Sequence, residues 1–145
     1  MSVVMQVFVS DGKMVSATDW ANAIRAHGFD MELDRDFDVR AFTGFLPCKY
    51  KDRDAGFEYY YESVKDLEPV DRRVKNAIGA RDMVVSFVTH SDFRDLMTSS
   101  LAAGVLCALS DGVLWDTEAN EFTPAKHAVE WSRESERVIA RELND

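Results

Sequence analysis

The sequence is poor in the residues that build disulfide scaffolds and metal centres. It has two cysteines, Cys48 and Cys107, and three histidines among 145 residues. Two widely separated cysteines exclude a disulfide framework. Neither the cysteines nor the histidines show the close spacing that zinc ligands require. We therefore expect reduced thiols, no metal and no cofactor.

Long apolar runs and an excess of basic residues are also missing. The most apolar stretch, 101–109, is about half as long as a bilayer-spanning helix, and the N-terminus does not resemble a signal peptide. Lys and Arg total 17 against 26 Asp and Glu, which gives a formal charge of −9. Such a charge disfavours binding to nucleic acid or to an anionic membrane. The composition predicts a cytoplasmic protein that binds neither.

Glycine is scarce in the places where catalytic and nucleotide-binding motifs need it. The seven glycines are dispersed singly along the chain. The sequence therefore contains no glycine-rich phosphate loop, dinucleotide fingerprint or nucleophile elbow. Nothing in these patterns indicates catalysis, and we favour a protein that is not an enzyme.

The sequence does contain regularly spaced acidic residues. Every second residue from 30 to 38 is acidic, namely Asp30, Glu32, Asp34, Asp36 and Asp38. Because successive side chains of an extended chain point to opposite faces, this spacing predicts a strand with five carboxylates on one side. An ordinary half-buried strand with a charged edge explains the pattern. The alternative is that these carboxylates repel one another and persist because a basic partner neutralises their charge.

Residues 56–62 show the clearest strand pattern after the acidic one. Their alternation puts three aromatic rings on one face and Glu58, Tyr60 and Glu62 on the other. We expect this strand to pair with 41–50 as a hairpin. Glu58, Tyr60 and Glu62 are predicted to extend the partner-binding surface of the acidic strand.

The remaining patterns predict an alternation of strands and helices. Strands are expected at 3–9, 83–88 and 113–115, and helices at 16–28, 69–79, 93–109 and 123–142, the second starting at Pro69. No linker or repeat divides the chain, so residues 1–145 are predicted to form a single domain. The order indicates an α+β fold, with three to four helices packed on a mixed sheet. A three-layer α/β sandwich is the alternative.

A second candidate site follows the predicted strand 83–88. His90 and Asp92 come directly after this strand, and Asp116 follows the next one. A histidine beside carboxylates can act as a general base, although Asp92 is equally well explained as a helix cap. The alternative function is therefore a small-ligand-binding domain, or a small enzyme, that uses His90, Asp92 and Asp116.

Two short segments carry a resemblance to known proteins. Residues 44–48 read Gly-Phe-Leu-Pro-Cys, and residues 56–60 read Gly-Phe-Glu-Tyr-Tyr. This pattern resembles one in small uncharacterised bacterial proteins, some of them associated with the immunity proteins of polymorphic toxin systems. The resemblance implies a cytoplasmic protein that binds a cognate toxin and blocks it, and it implies no catalytic residue.

The acidic surface leads to a compatible hypothesis about the partner. A negatively charged surface favours a basic protein, such as a nuclease-like toxin, and predicts fast, salt-sensitive association. Self-association through the acidic strand ranks lower, because like charges would then face each other. The sequence leaves the oligomeric state open.

Overall fold

A computed structural model of the chain describes residues 2–68 and 70–143. The described residues form seven strands and four helices. The strands are β1 (Val3–Val9), β2 (Met31–Leu33), β3 (Gly44–Tyr50), β4 (Arg53–Ser63), β5 (Met83–Thr89), β6 (Val113–Asp116) and β7 (Glu121–Pro124). The helices are α1 (Ala17–Ala26), α2 (Arg72–Ile78), α3 (Phe93–Leu109) and α4 (Ala125–Ala140).

All seven strands belong to one sheet in the order β2-β3-β4-β5-β1-β6-β7. The α+β class, with helices packed on a sheet, is confirmed. The sheet is antiparallel at every pairing instead of mixed. The reason is that β1 lies between β5 and β6 and runs antiparallel to both. The β5-α3-β6 unit therefore never places two parallel strands side by side.

The predicted hairpin between 41–50 and 56–62 is confirmed as β3 and β4. Its pairing runs without interruption from Gly44 opposite Tyr59 to Tyr50 opposite Arg53. Lys51 and Asp52, the two turn residues, have φ values of 50° and 63°. Positive φ at both positions matches the right-handed twist of paired strands, as in a type I′ turn.

The predicted acidic strand is wrong beyond residue 33, because β2 ends there. The Oδ1 atom of Asp34 accepts the backbone N–H of Asp36 at 2.9 Å, and Asp38 Oδ1 accepts that of Arg40 at 2.9 Å. These bonds stabilise turns and compete with a strand ladder. The second half of the alternating pattern therefore reflects turn chemistry, and the five carboxylates do not share one strand face.

Other element boundaries follow from local capping. The Ser16 hydroxyl accepts the Asp19 N–H at 3.1 Å, which confirms the predicted start of α1. Helix α2 begins after Asp71, whose side chain accepts the Val74 N–H, while Pro69 lies outside the described residues. Strand β7 was not predicted, since the last helix was expected to start at residue 123, which lies within β7.

Helices α1, α3 and α4 cover one face of the sheet. Trp20 of α1 is fully buried and its indole N–H donates to the Ala102 carbonyl of α3 at 3.0 Å. The Trp20 ring also lies 6.1 Å from the ring of Tyr59 in β4 and 6.0 Å from that of Phe87 in β5. One side chain thus joins α1, α3 and the centre of the sheet.

Among the described residues, the short helix α2 and the side chains of Val64, Leu67 and Val70 before it cover one end of the opposite face. Val74 and Ile78 of this helix pack on Phe8 of β1 and Val84 of β5. The rest of that face has aromatic side chains that reach solvent, and Phe45 is 57% exposed. This uneven coverage leaves part of one sheet face exposed to solvent.

Helices α3 and α4 approach so closely that a glycine is needed at the contact. A Cβ atom on Gly104 would lie 1.8 Å from Ser132 Oγ and 2.7 Å from the Ala128 carbonyl oxygen. Ser132 is fully buried, and its hydroxyl donates to the Ser100 carbonyl at 2.9 Å. Since the Ala128 oxygen belongs to the helix backbone, a rotation of the Ser132 side chain cannot relieve the whole overlap.

The substitution Gly104→Ala is expected to lower the free energy of unfolding by about 1–3 kcal/mol, because it overpacks this contact. Gly12→Ala is the matched control, since a Cβ there meets no atom within 4 Å, and its effect should stay within about 0.5 kcal/mol. Urea unfolding followed by circular dichroism measures both. Equal midpoints for the two variants would contradict the close approach of the helices.

Candidate functional site

The uncovered part of the sheet, which we call the open face, is made of alternate residues of five neighbouring strands. Directly paired residues of antiparallel strands point to the same side, so the register defines its members. They are Glu32 of β2, Phe45, Pro47 and Lys49 of β3, Asp54, Glu58, Tyr60 and Glu62 of β4, Ser86 and Val88 of β5, and Val4 and Gln6 of β1.

The centre of the open face holds a carboxylate fixed by two neighbours. The Tyr60 hydroxyl donates to Glu58 Oε1 at 2.6 Å, and His90 Nε2 lies 2.7 Å from Glu58 Oε2. The Tyr60 bond, followed by the His90 bond, lowers the pKa of Glu58, because both stabilise its charged form. The same bond raises the pKa of Tyr60. Glu58 is therefore held ionised and in one orientation.

An exposed aromatic ring lies next to this carboxylate. Phe45 is directly opposite Glu58 in the β3–β4 register and is 57% exposed. Its ring occupies space over Gly56, where a Cβ would come within 2.5 Å of the Phe45 Cζ atom. The absence of a side chain at Gly56 thus lets the ring of Phe45 lie along the sheet surface.

The open face carries more acid than base. Four carboxylates point to it, those of Glu32, Asp54, Glu58 and Glu62, and Lys49 is opposite both Glu32 and Asp54 in the register. Within the described part of the chain, Glu32, Asp54 and Glu62 make no ion pair. The face therefore presents negative charge to solvent.

Four of the eight predicted partner-binding residues belong to the open face. Glu32, Glu58, Tyr60 and Glu62 lie on the open face.

The other four acidic residues of the predicted strand lie elsewhere. Asp30 forms an ion pair with Arg25 of α1 at 3.2 Å. Asp34 lines a shallow depression beside β2 and β3, and Asp36 and Asp38 lie in the turn that follows. Asp34 and Asp38 accept backbone N–H groups in turns outside the open face, so these positions are poor probes of docking through it.

The second candidate site is not assembled. His90 contacts Glu58 on the open face. The Asp92 side chain caps α3 by accepting two backbone N–H groups of its first turn. Asp116 is paired with Met5 in the β1–β6 register and lines a groove with it on the helix-covered side of the sheet. His90 and Asp116 therefore lie on opposite sides of the sheet.

The sequence patterns did not indicate Asp54 or Phe45 as residues of the open face. Asp54 precedes the alternation over 56–62 from which the strand was predicted, whereas β4 begins at Arg53. Extending that alternation from Glu58 back by four residues would have found Asp54. Phe45 lies in the predicted strand 41–50, where no local signal in the sequence distinguishes an exposed ring from a buried one.

The cysteines offer no reactive group beside the open face. Cys48 and Cys107 are both buried free thiols. Burial raises the pKa of Cys107 to about 12 and raises the pKa of Cys48 as well. Since the thiolate is the nucleophilic form, neither thiol is poised for attack.

Comparisons with known proteins matched the chain to no family model and to no curated protein. Among the described residues, no group of three or more His, Cys, Asp or Glu side chains is arranged to hold a metal ion. The same part of the chain has no helix with the length and apolar character needed to cross a membrane. The open face is thus interpreted from its own geometry.

Replacing Tyr60 with Phe is expected to raise the pKa of Glu58 more than replacing His90 with Gln, since the Tyr60 bond contributes most to lowering it. Because the folded-state pKa of Glu58 is depressed, its bonds stabilise the fold above the unfolded-state pKa. This stabilisation is lost as the pH falls through the folded-state pKa. The Tyr60→Phe variant should therefore show a weaker loss of stability on acidification.

Carbon-13 NMR titration of the glutamate carboxyls measures these values directly. Glu134 is an internal control, because Arg137 lowers its pKa independently of the open face, and it should titrate alike in both variants. An unchanged Glu58 titration in Tyr60→Phe would show that the hydrogen bond does not form in solution.

Proposed function

We propose that this protein is a cytoplasmic, non-enzymatic binding protein whose open face docks on a basic protein surface. The observation that carries this proposal is Phe45, a large apolar ring that is 57% exposed among the carboxylates of a sheet surface. Burial of this aromatic ring would be favourable, and in the isolated fold it is left in contact with water. Contact with a partner would remove it from water.

The composition of the open face fits a protein interface. Binding energy in such interfaces is concentrated in a few aromatic anchors surrounded by polar residues. Phe45 is the exposed anchor, and Tyr60 and Val88 beside it are partly exposed. The depressions along β2 and β3 are open to solvent and lie on a broad sheet surface that a macromolecular partner could cover.

The charge of the open face favours a basic partner. Glu58 has both oxygens oriented by Tyr60 and His90, yet a carboxylate keeps further lone pairs that can accept bonds from Arg or Lys. Glu32 and Glu62 extend the negative surface on either side. With a net charge of −9, the encounter with a basic protein would be accelerated by long-range attraction.

We infer further that the partner is a toxin and that this protein neutralises it in the manner of an immunity protein. The support is the resemblance of residues 44–48 and 56–60, which lie on the β3–β4 hairpin that carries Phe45 and Glu58. A nuclease-like toxin needs a basic surface to bind nucleic acid. An acidic protein that covers this surface would block access to the substrate.

The first test is affinity capture from a native lysate at low salt, followed by elution at high salt and identification by mass spectrometry. The baits are the wild type, the Glu32→Gln/Glu58→Gln/Glu62→Gln triple variant and Phe45→Ala. Wild type is expected to retain a basic protein that the triple variant and Phe45→Ala lose.

The matched control bait is the Asp19→Asn/Glu130→Gln/Glu142→Gln variant, which makes the same charge change at exposed positions in α1, within α4 and just beyond the end of α4. It should capture the same protein as wild type. Equal capture by all four baits would contradict docking through the open face.

Stopped-flow kinetics with the purified partner then separate the two contributions. The triple variant should associate about tenfold more slowly than the control at low salt, because steering charges act on the association rate. Phe45→Ala should instead raise the dissociation rate by roughly tenfold, as expected for loss of an aromatic anchor. An association rate equal to that of the control would remove the electrostatic part of the proposal.

A further inference from the structure

A second surface feature lies on the helix-covered side of the sheet, away from the open face. It is a groove of about 460 Å³ between the start of β1, the β6–β7 hairpin, α3 and α4. Its walls are largely apolar, with buried Met5 and Ile139 at the bottom and Val138, 47% exposed, at the opening. This volume is within the range of small-molecule sites, roughly 300–1,000 Å³.

Carboxylates surround this apolar groove. Asp116, Glu118, Glu121 and Glu134 all line it. Glu134 is paired with Arg137, but no ion pair of Asp116, Glu118 or Glu121 occurs among the residues that the structure describes. The rim therefore offers negative charge that this chain does not neutralise.

Two of these carboxylates are direct neighbours across strands. Asp116 of β6 is opposite Glu121 of β7 in the register. Like charges at directly opposed positions destabilise a sheet. A cation bound between them would relieve this repulsion. The groove is therefore expected to prefer a positively charged ligand.

Trp131 adds a group that also favours cations. This side chain of α4 is half-buried and lines the groove together with Glu134 and Ser135. A positive charge over an indole face is attracted by the ring, and tryptophan is the most effective aromatic residue in this role. An indole next to carboxylates is a combination suited to recognising an ammonium group.

We propose that this groove binds a small organic cation, with an apolar body on Met5 and Ile139 and a protonated amine near Asp116, Glu121 and Trp131. The inference is independent of the open face, because the groove lies on the other side of the sheet. Either surface can therefore fail its test without affecting the other.

The test compares three probes that share an apolar body and differ in charge, namely 4-phenylbutylamine, 4-phenylbutanol and 4-phenylbutyrate. Proton–nitrogen NMR titrations of the full chain follow each probe. The amine should shift the backbone signals of Leu96, Ser100 and Ser135 and the indole signal of Trp131 in a saturable way. Its affinity should exceed that of the alcohol by roughly tenfold, as for a charge-assisted bond, with the carboxylate weakest.

The variant Asp116→Asn/Glu121→Gln isolates the role of charge. The Asp116 side chain accepts the Glu118 and Ala119 N–H groups at 3.1 and 3.3 Å, and asparagine retains this acceptor. The variant should lose the preference for the amine while still binding the alcohol. Asp19→Asn/Glu130→Gln, with the same charge change elsewhere, should bind all three probes like wild type.

Three results would overturn the proposal. The first is no saturable shift with the amine, the second is equal affinity for the amine and the alcohol in wild type, and the third is a map of shifts confined to the open face. Retained amine preference in Asp116→Asn/Glu121→Gln would likewise remove these two carboxylates from the site.

Discussion

Burial of the odd-numbered rings of β4 is the constraint on which the rest of the structure depends. Phe57 and Tyr59 are almost fully buried and pack with Trp20 and Phe87 at the centre of the core. A slip of one residue would bury Glu58 in their place and expose the rings, at a cost of several kcal/mol. The core packing that stabilises the fold therefore also fixes which side chains the open face presents.

The open face exists because the helices are divided unevenly between the two sides of the sheet. Of the four helices that the structure describes, three cover one side, whereas α2 packs on the opposite side at the end near Phe8 and Val84. Helix α3 is buried along most of its length because it lies between the sheet, α1 and α4. Its close approach to α4 at Gly104 packs the helices tightly on one side of the sheet, while the open face on the other side stays exposed.

How far the fold could be predicted depended on how local the decisive interactions were. The alternation of β4, the hairpin turn at Lys51 and Asp52 and the cap at Ser16 each involve residues close in sequence. The strand predicted from the acidic pattern was wrong beyond residue 33, because alternating aspartates are compatible with two local structures. Aspartate at alternate positions suits an exposed strand face, but its short side chain also bonds to the backbone two residues on and ends the strand.

The sequence by itself determined the sign of the surface charge and the side of β4 on which Glu58, Tyr60 and Glu62 lie, since both follow from composition and a two-residue period. Only the tertiary structure decided what those residues meet. His90 reaches Glu58 across 32 residues of sequence, while Asp116 faces the helices on the other side of the sheet. The reason is that strand order and register are set by the burial of the whole core, which no local pattern contains.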